Sequence, residues 1–144
     1  ISYATVHLLN GFEALKAANE VAKDINIKLL GVSVLTSFDD QDLIQLGFKN
    51  QVKDQVIKLI EIANEAGLYG VICSPREIKI IKNIAPNLKC FTPGIRQGNI
   101  QNEQKRTMSA KEAMEAGSDC LIIGRSITNG DPKKNIQEIL VSLS

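Results

Sequence analysis

Short, nearly continuous apolar segments recur along the chain and alternate with longer segments of mixed polarity. Each apolar segment is rich in strand-forming residues and is followed by turn-forming ones, a pattern typical of strands buried on both faces of a parallel sheet. The pattern predicts five strands, at Tyr3–Leu9, Ile27–Leu35, Tyr69–Cys73, Leu88–Thr92 and Cys120–Gly124.

The segments between the predicted strands carry helical periodicity and helix-start signals. Residues 51–66 place one apolar stripe on a predicted helix that Gly67 ends, and residues 12–22 form another such stripe. Three more helices are predicted from their start signals, which are Ser74 before Pro75, Ser109 with Glu112 three residues later, and Asp131 before Pro132. Strand and helix therefore alternate, which predicts right-handed βαβ units and a parallel sheet.

Two α/β architectures satisfy this order, an open doubly wound sheet and part of a (β/α)8 barrel. The length of 144 residues favours the open sheet, because a complete barrel takes roughly 200–250 residues or more. The loops favour the barrel. The glycine-rich loops of common nucleotide-binding folds are absent, and polar residues collect after the strand ends, where a barrel builds its site. We predict a single domain, residues 1–144, of the α/β class.

Composition argues against several classes of protein. Apolar residues make up 44% of the chain, and the net charge of +1 with only 4% aromatic residues disfavours a nucleic-acid partner. No apolar run approaches the ~20 residues that cross a bilayer, so no membrane partner is expected, and no secretory signal is recognisable. Cys73, Cys90 and Cys120 lack metal-ligand spacing, so we expect buried thiols in a reducing compartment, the cytoplasm.

The strongest chemical signal lies in the loops that follow the last two predicted strands. In IIGRSIT, Gly124 lets the backbone approach a ligand, and Arg125 supplies a guanidinium suited to phosphate. In FTPGIRQG, Arg96 follows a Pro-Gly turn, and Gln104 lies further along the same long loop. Each loop alone is equally compatible with a solvated surface turn. Together they predict a phosphomonoester site.

The remaining polar residues have competing interpretations. Thr36 ends the longest apolar strand and suits either a ligand contact or a structural role, whereas Ser37 is expected to cap the helix that starts near Asp39. The carboxylates at positions 39, 40 and 42 lack calcium-loop spacing and fit a helix N-terminus. His7 lies in an apolar strand with no matched nucleophile or second metal ligand, so we expect a packed, hydrogen-bonded side chain.

In their order and spacing, these motifs resemble the orotidine 5′-phosphate decarboxylase family. The matching segments are TVH at Thr5–His7, VSVLTSFDDQDL at Val32–Leu43, AGLYGVICSPRE at Ala66–Glu77, FTPGIRQG at Phe91–Gly98, EQKRTMSAKEAMEAGSD at Glu103–Asp119 and LIIGRSITNGDP at Leu121–Pro132. The combination of TPGIR, QKR and IGR.IT is highly specific, and the resemblance covers essentially the whole chain.

The resemblance implies a parallel (β/α)8 barrel, of which this chain supplies about five βα units from the C-terminal part. It also implies the decarboxylation of orotidine 5′-monophosphate to uridine 5′-monophosphate in pyrimidine synthesis by a homodimer, with no cofactor or metal. The family's phosphate contacts fall on Gln104, Gly124 and Arg125, with Arg96 also in the ligand-binding set. Its pyrimidine contact falls on Thr36.

The sequence departs from the family's pattern in two ways. Small changes occur in the loops, where Gln97 and Ser126 stand at positions at which the family usually has proline. The larger departure is that the D.K..D signature of the family's catalytic Lys-Asp-Lys-Asp array, in the first half of the barrel, has no counterpart here. We therefore expect this chain to carry the binding part of the site, to contain no catalytic residue and to be inactive alone. The alternatives are a non-catalytic phosphate-binding half-barrel and another barrel enzyme that acts on a sugar phosphate.

Overall fold

The computed structural model of the protein describes residues 1–96 and 107–143. All five predicted strands form, and each is shorter than its apolar run: β1 (Tyr3–His7), β2 (Lys28–Val32), β3 (Gly70–Ile72), β4 (Lys89–Thr92) and β5 (Cys120–Leu121). Apolar residues just beyond strand ends, such as Leu8 and Cys73, are buried in the loops at the rim of the sheet. The apolar pattern therefore indicates which residues are buried, and the buried residues continue past the ends of the hydrogen-bonded strands.

The strand order decides between the two architectures. The sheet has the order β1-β2-β3-β4-β5, and every neighbouring pair is parallel. A doubly wound sheet reverses its strand order at a switch point, whereas a barrel adds each strand beside the last. Because right-handed crossovers in one direction place every helix on the same face, this sheet is a sector of a (β/α)8 barrel.

Seven helices lie in the part of the chain that the structure describes, together with 3-10 turns at Leu8–Asn10 and Pro75–Glu77. The helices are α1 (Phe12–Asp24), α2 (Asp40–Gln45), α3 (Val52–Glu65), α4 (Ile78–Ile84), α5 (Ala110–Glu115), α6 (Arg125–Thr128) and α7 (Pro132–Leu143). The predicted starts are confirmed at Ser74 and Ser109, which both form capping boxes, although Ser74 caps the 3-10 turn that leads into α4.

The prediction that Ser37 caps α2 is wrong. Asp39 is the N-cap, since its carboxylate accepts from the amides of Gln41 and Asp42 at 3.0 and 3.1 Å, and Asp42 accepts in return from the Asp39 amide. Asp40 reaches further and accepts from the Val52 amide at 2.7 Å, at the start of α3. The carboxylates at 39, 40 and 42 thus serve helix N-termini, as expected, and the true cap lies two residues beyond the predicted one.

The two faces of the sheet differ in cover. Alternate strand residues on one face pack against the helices in the main core, whose fully buried members include Leu15, Val56, Ile60, Val71 and Cys90. On the opposite, open face, Tyr3, Thr5 and His7 of β1 are exposed. The expectation of a packed His7 is therefore wrong for this chain, because the strand alternation turns its side chain toward the face opposite the helix-covered one, where it is exposed.

An aromatic cluster closes the amino-terminal end of the open face. The rings of Tyr3, Tyr69 and Phe91 lie 5.3 to 6.4 Å apart between centroids, and the Lys28 ammonium stands 4.7 Å from the centre of the Tyr69 ring. These contacts help to keep Phe91 buried on this face, where Leu30 of β2 is buried as well.

Asp119 joins β4 to the chain segment that enters β5. Its carboxylate accepts from the Cys90 amide at 2.8 Å, from Lys82 at 2.6 Å and from Lys89 at 3.1 Å. Burial alone would raise the pKa of Asp119, but the hydrogen bonds from Lys82, the Cys90 amide and Lys89 outweigh it and lower that pKa below its usual value.

Within the described residues, no helix is both long enough and apolar enough to cross a membrane.

Candidate phosphate-binding site

The predicted site residues that the structure describes all follow carboxyl ends of strands, at one edge of the sheet. Thr36 follows β2, Arg96 follows β4, and Gly124 and Arg125 follow β5. Thr36 and Arg96 are half-buried, whereas Gly124 and Arg125 are exposed. Gln104 lies outside the described residues.

The loop after β4 is held at its base by backbone hydrogen bonds. Gly94 takes a positive φ of 82°, which the Pro-Gly turn of the sequence supplies at no steric cost. Beyond this turn, the Arg96 amide donates to the Met108 carbonyl at 3.0 Å and the Met108 amide donates to the Gly94 carbonyl at 3.2 Å. Arg96 therefore begins its long loop from a fixed backbone position.

The Arg96 side chain is anchored near its own backbone. One guanidinium nitrogen, Nη1, donates to the Ile95 carbonyl at 2.9 Å. Ile95 itself is only 1% exposed and packs in a second, smaller core with Ala110, Ala113 and Ile139. The guanidinium is thus held beside the carbonyl of a buried residue instead of extending from a free surface turn.

The loop after β5 offers open backbone and a cation. Apart from its two chain neighbours, no described residue has an atom within 4 Å of the point where a side chain at Gly124 would begin, so a ligand can approach the backbone there. The Gly124 carbonyl accepts from the amides of Ile127 and Thr128 at 2.8 and 3.1 Å, which forms the single turn of α6. Because α6 has only four residues, its dipole is small, and the positive charge of this loop comes chiefly from Arg125.

The two arginine-bearing loops contact each other. The Ser126 hydroxyl donates to the Ile95 carbonyl at 3.3 Å, the same carbonyl that accepts from Arg96. Ile127 of α6 also packs against the small core that contains Ile95. Arg96 directly follows Ile95, and Arg125 directly precedes Ser126, so the hydrogen bond joins the sequence neighbours of the two arginines. The two cations follow adjacent strands, an arrangement suited to a dianion. In the sequence Ser126 is only a change at a loop position, and its partner Ile95 lies 31 positions away, so no local signal reveals the contact.

Thr36 stands apart from the arginine loops at the same edge, because β3 lies between β2 and β4. The turn that contains it is closed by a hydrogen bond of 2.9 Å from the Phe38 amide to the Leu35 carbonyl. This position suits contact with a ligand group remote from the phosphate.

The thiols and the histidine do not form a second chemical centre in the described chain. Cys73 and Cys90 are buried as predicted, whereas Cys120 is half-buried. The hydrogen bond to Cys90, burial and the charges of Cys90 and Glu77 raise the pKa of the Cys73 thiol well above its usual value, which keeps it protonated. His7 borders a mainly apolar cavity of 200 Å³ with residues such as Phe38 and Leu43. Residues 1–96 and 107–143 contain no cluster of three potential metal ligands.

The fold and these strand exits define a class of protein, a sector of a (β/α)8 barrel with an arginine after each of two adjacent strands, at their carboxyl ends. The sequence profile of the Orotidine 5′-phosphate decarboxylase / HUMPS family matches residues 1–139, and the chain belongs to this family.

Similar proteins agree with that assignment. A protein named orotidine 5′-phosphate decarboxylase from Ehrlichia chaffeensis is 41% identical over all of this chain and 64% of its own length. The crystal structure of orotidine 5′-phosphate decarboxylase from Lactobacillus acidophilus matches with a TM-score of 0.82 at 33% identity, over all of this chain and 64% of that one. The corresponding protein of Sulfolobus solfataricus, 19% identical with a TM-score of 0.73, supports the fold alone. The chain spans just under two thirds of the length of these proteins.

Proposed function

We propose that this chain carries the phosphate- and pyrimidine-binding part of an orotidine 5′-phosphate decarboxylase, which converts orotidine 5′-monophosphate to uridine 5′-monophosphate and carbon dioxide. The observation that carries the proposal is the contact between the two arginine loops through Ser126 and the Ile95 carbonyl. Family membership supports the nature of the ligand, because the relatives are named for this activity.

Each proposed binding residue has a distinct role. Arg96 and Arg125 hold the phosphate, and Gly124 lets it come close to the backbone. Gln104 adds an amide to the phosphate contacts, a role supported by the resemblance of its motif to the family. Thr36 contacts the pyrimidine side, which its place across β3 from the arginine loops supports.

The proposed division of labour separates binding from chemistry. Contacts to the phosphate are remote from the bond that breaks, yet their free energy can be realised in the transition state and so accelerate the reaction. We assign no residue of this chain to the proton transfer, and we expect no turnover from the chain alone. In the full-length form we expect a cytoplasmic homodimer that uses no cofactor.

Ligand binding tests the proposed site. Isothermal titration calorimetry should rank uridine 5′-monophosphate above both uridine and ribose 5-phosphate, because only the nucleotide offers both the phosphate and the base. Equal affinity for ribose 5-phosphate and the nucleotide would support a sugar-phosphate enzyme of another specificity. Binding of the nucleotide no tighter than that of uridine would remove the phosphate site.

A turnover assay tests the separation of binding from chemistry. We expect no loss of orotidine 5′-monophosphate when it is incubated with the purified chain, measured by absorbance against a full-length relative as the positive control. Decarboxylation by the chain alone, at a rate that follows its concentration, would show that a group within residues 1–144 performs the chemical step.

A further inference from the structure

We infer that Ser126 is a positioning residue, whose hydroxyl holds the loop after β4 in register with α6 so that Arg96 and Arg125 face the same phosphate. The inference rests on the proposed function and adds a residue that acts through the two arginines without touching the ligand.

The geometry centres on one carbonyl group. The Ile95 carbonyl accepts from the Arg96 guanidinium at 2.9 Å and from the Ser126 hydroxyl at 3.3 Å. The backbone bridge to Met108 uses other groups, namely the Gly94 carbonyl and the Arg96 amide. The Ile95 carbonyl is therefore available to join a residue of one arginine loop to a residue of the other.

The donor comes from an anchored element. Ser126 lies in the turn of α6, directly after Arg125. The Asn135 side-chain amide of α7 donates to the Ile127 and Asn129 carbonyls at 2.8 and 2.7 Å, which fastens α6 to α7. The hydroxyl therefore connects the loop of Arg96 to a turn that is itself held in place.

The apolar contacts beneath do not fix the same degree of freedom. Ile95 and Ile127 belong to one small cluster of buried and partly buried side chains, and such packing is non-directional. A hydrogen bond is directional, so it can set how the Arg96 loop is turned relative to α6. A bidentate guanidinium contact depends on that orientation, and preorganisation lowers the entropy lost on binding.

Three variants and two ligands test the inference by calorimetry. Replacing Ser126 with alanine removes the hydroxyl from a helical position that alanine tolerates well. We expect S126A to weaken binding of uridine 5′-monophosphate by about three- to tenfold, since the bond is neutral and long, and to leave uridine binding unchanged. S126T retains a hydroxyl and should keep wild-type affinity. T128A, which alters an exposed hydroxyl of the same helix, should change neither ligand.

Hydrogen exchange gives a readout that needs no ligand. Loss of the Ser126 hydroxyl should speed exchange of the Arg96 amide, whose partner is the Met108 carbonyl, while T128A should not. Equal loss of affinity for both ligands in S126A, or an unchanged preference for the nucleotide, would overturn the inference. A wild-type chain that shows no preference for the nucleotide would instead overturn the proposed function, and this role for Ser126 with it.

Discussion

Arg96 and Arg125 are held under different constraints. Arg96 is half-buried, its backbone is bonded to Met108 and its guanidinium to the Ile95 carbonyl, whereas Arg125 is exposed on the first residue of a short turn. Much of the conformational entropy of the Arg96 side chain is already lost before a ligand binds, whereas Arg125 loses its own on binding. In the proposed site, Arg96 is the preorganised cation and Arg125 the adaptable one.

Replacing Arg125 with alanine should weaken phosphate-bearing ligands selectively. A charge-assisted hydrogen bond contributes about 1.5–3 kcal/mol, so R125A should lose about ten- to a hundredfold in affinity for uridine 5′-monophosphate and little for uridine. K133A removes another exposed cation, from α7, and should bind both ligands as the wild type does. Titration calorimetry measures all four affinities, and equal losses for nucleotide and nucleoside in R125A would exclude a phosphate role.

Asp119 makes stability depend on pH in a direction that follows from its lowered pKa. Such a carboxylate stabilises the fold when the pH exceeds its ordinary, unfolded-state pKa of about 4, and the contribution is lost as pH falls through the lower pKa of the folded state. D119N should lower the free energy of unfolding at pH 7, measured with urea, by about 1 kcal/mol. The loss is small for a charged hydrogen-bonded group because the carboxylate is partly exposed. The difference from wild type should shrink below about pH 4.

E20Q, at an exposed position of α1, is the matched control for D119N. A D119N deficit that is as large at pH 3 as at pH 7 would contradict the assignment.

At the scale of elements, helix caps order the connections that follow β2. Asp39 caps α2 and Asp40 bonds the first amide of α3, so adjacent carboxylates fix two consecutive helices. This arrangement sets the path of the chain immediately after Thr36. The caps thereby influence the geometry of the strand exit proposed to contact the pyrimidine.

Alanine substitutions distinguish the observed cap from the one that the sequence suggested. D39A removes the acceptor for two α2 amides and should lower the free energy of unfolding by about 1 kcal/mol. S37A should leave it within about 0.5 kcal/mol of wild type, the usual range for surface changes. Urea unfolding followed by circular dichroism measures both, and a larger loss in S37A than in D39A would refute the cap assignment.

At the scale of the whole molecule, one face of the five-stranded sheet carries no helix from residues 1–96 and 107–143, and each of its two edge strands has a neighbour on one side only. β1 and β5 are the edges of the described sheet, and the apolar side chains of Tyr3, Leu9, Leu35 and Ile122 are 40 to 57% exposed. Exposed strand edges and apolar groups promote pairing with another chain. This favours association over a monomer for the chain alone, whether or not the full-length family member is a homodimer.

Sedimentation velocity should therefore show self-association that increases with concentration. T5K places a charge on the open face of edge strand β1, where lysine discourages strand pairing, and should shift the distribution toward monomer. A17K adds the same charge at an exposed position of α1 and should not. A stable monomer at all concentrations in the wild type would show that the open face needs no partner.

The approximate positions of the five strands were predictable from the sequence, because a strand that is buried on both faces is a continuous apolar run. It also determined several helix starts, because caps such as Ser109 with Glu112 involve residues three apart. The site motifs were recognisable for the same reason, since Arg96 and Arg125 each lie within a few residues of a strand end. All of these features depend on residues that are close together in the sequence, so local patterns can predict them.

Three features became visible only in the folded chain: which strands are neighbours, which face of the sheet the helices cover, and which loops meet. The Ser126 to Ile95 bond spans 31 positions and the Lys82 to Asp119 bond 37, so no local pattern reports them. The exposure of His7 was not predictable for the same reason, because it depends on which face of the sheet other elements cover. Contacts between distant residues exist only once the sheet has brought strand ends together, and they decide whether two arginines serve one ligand.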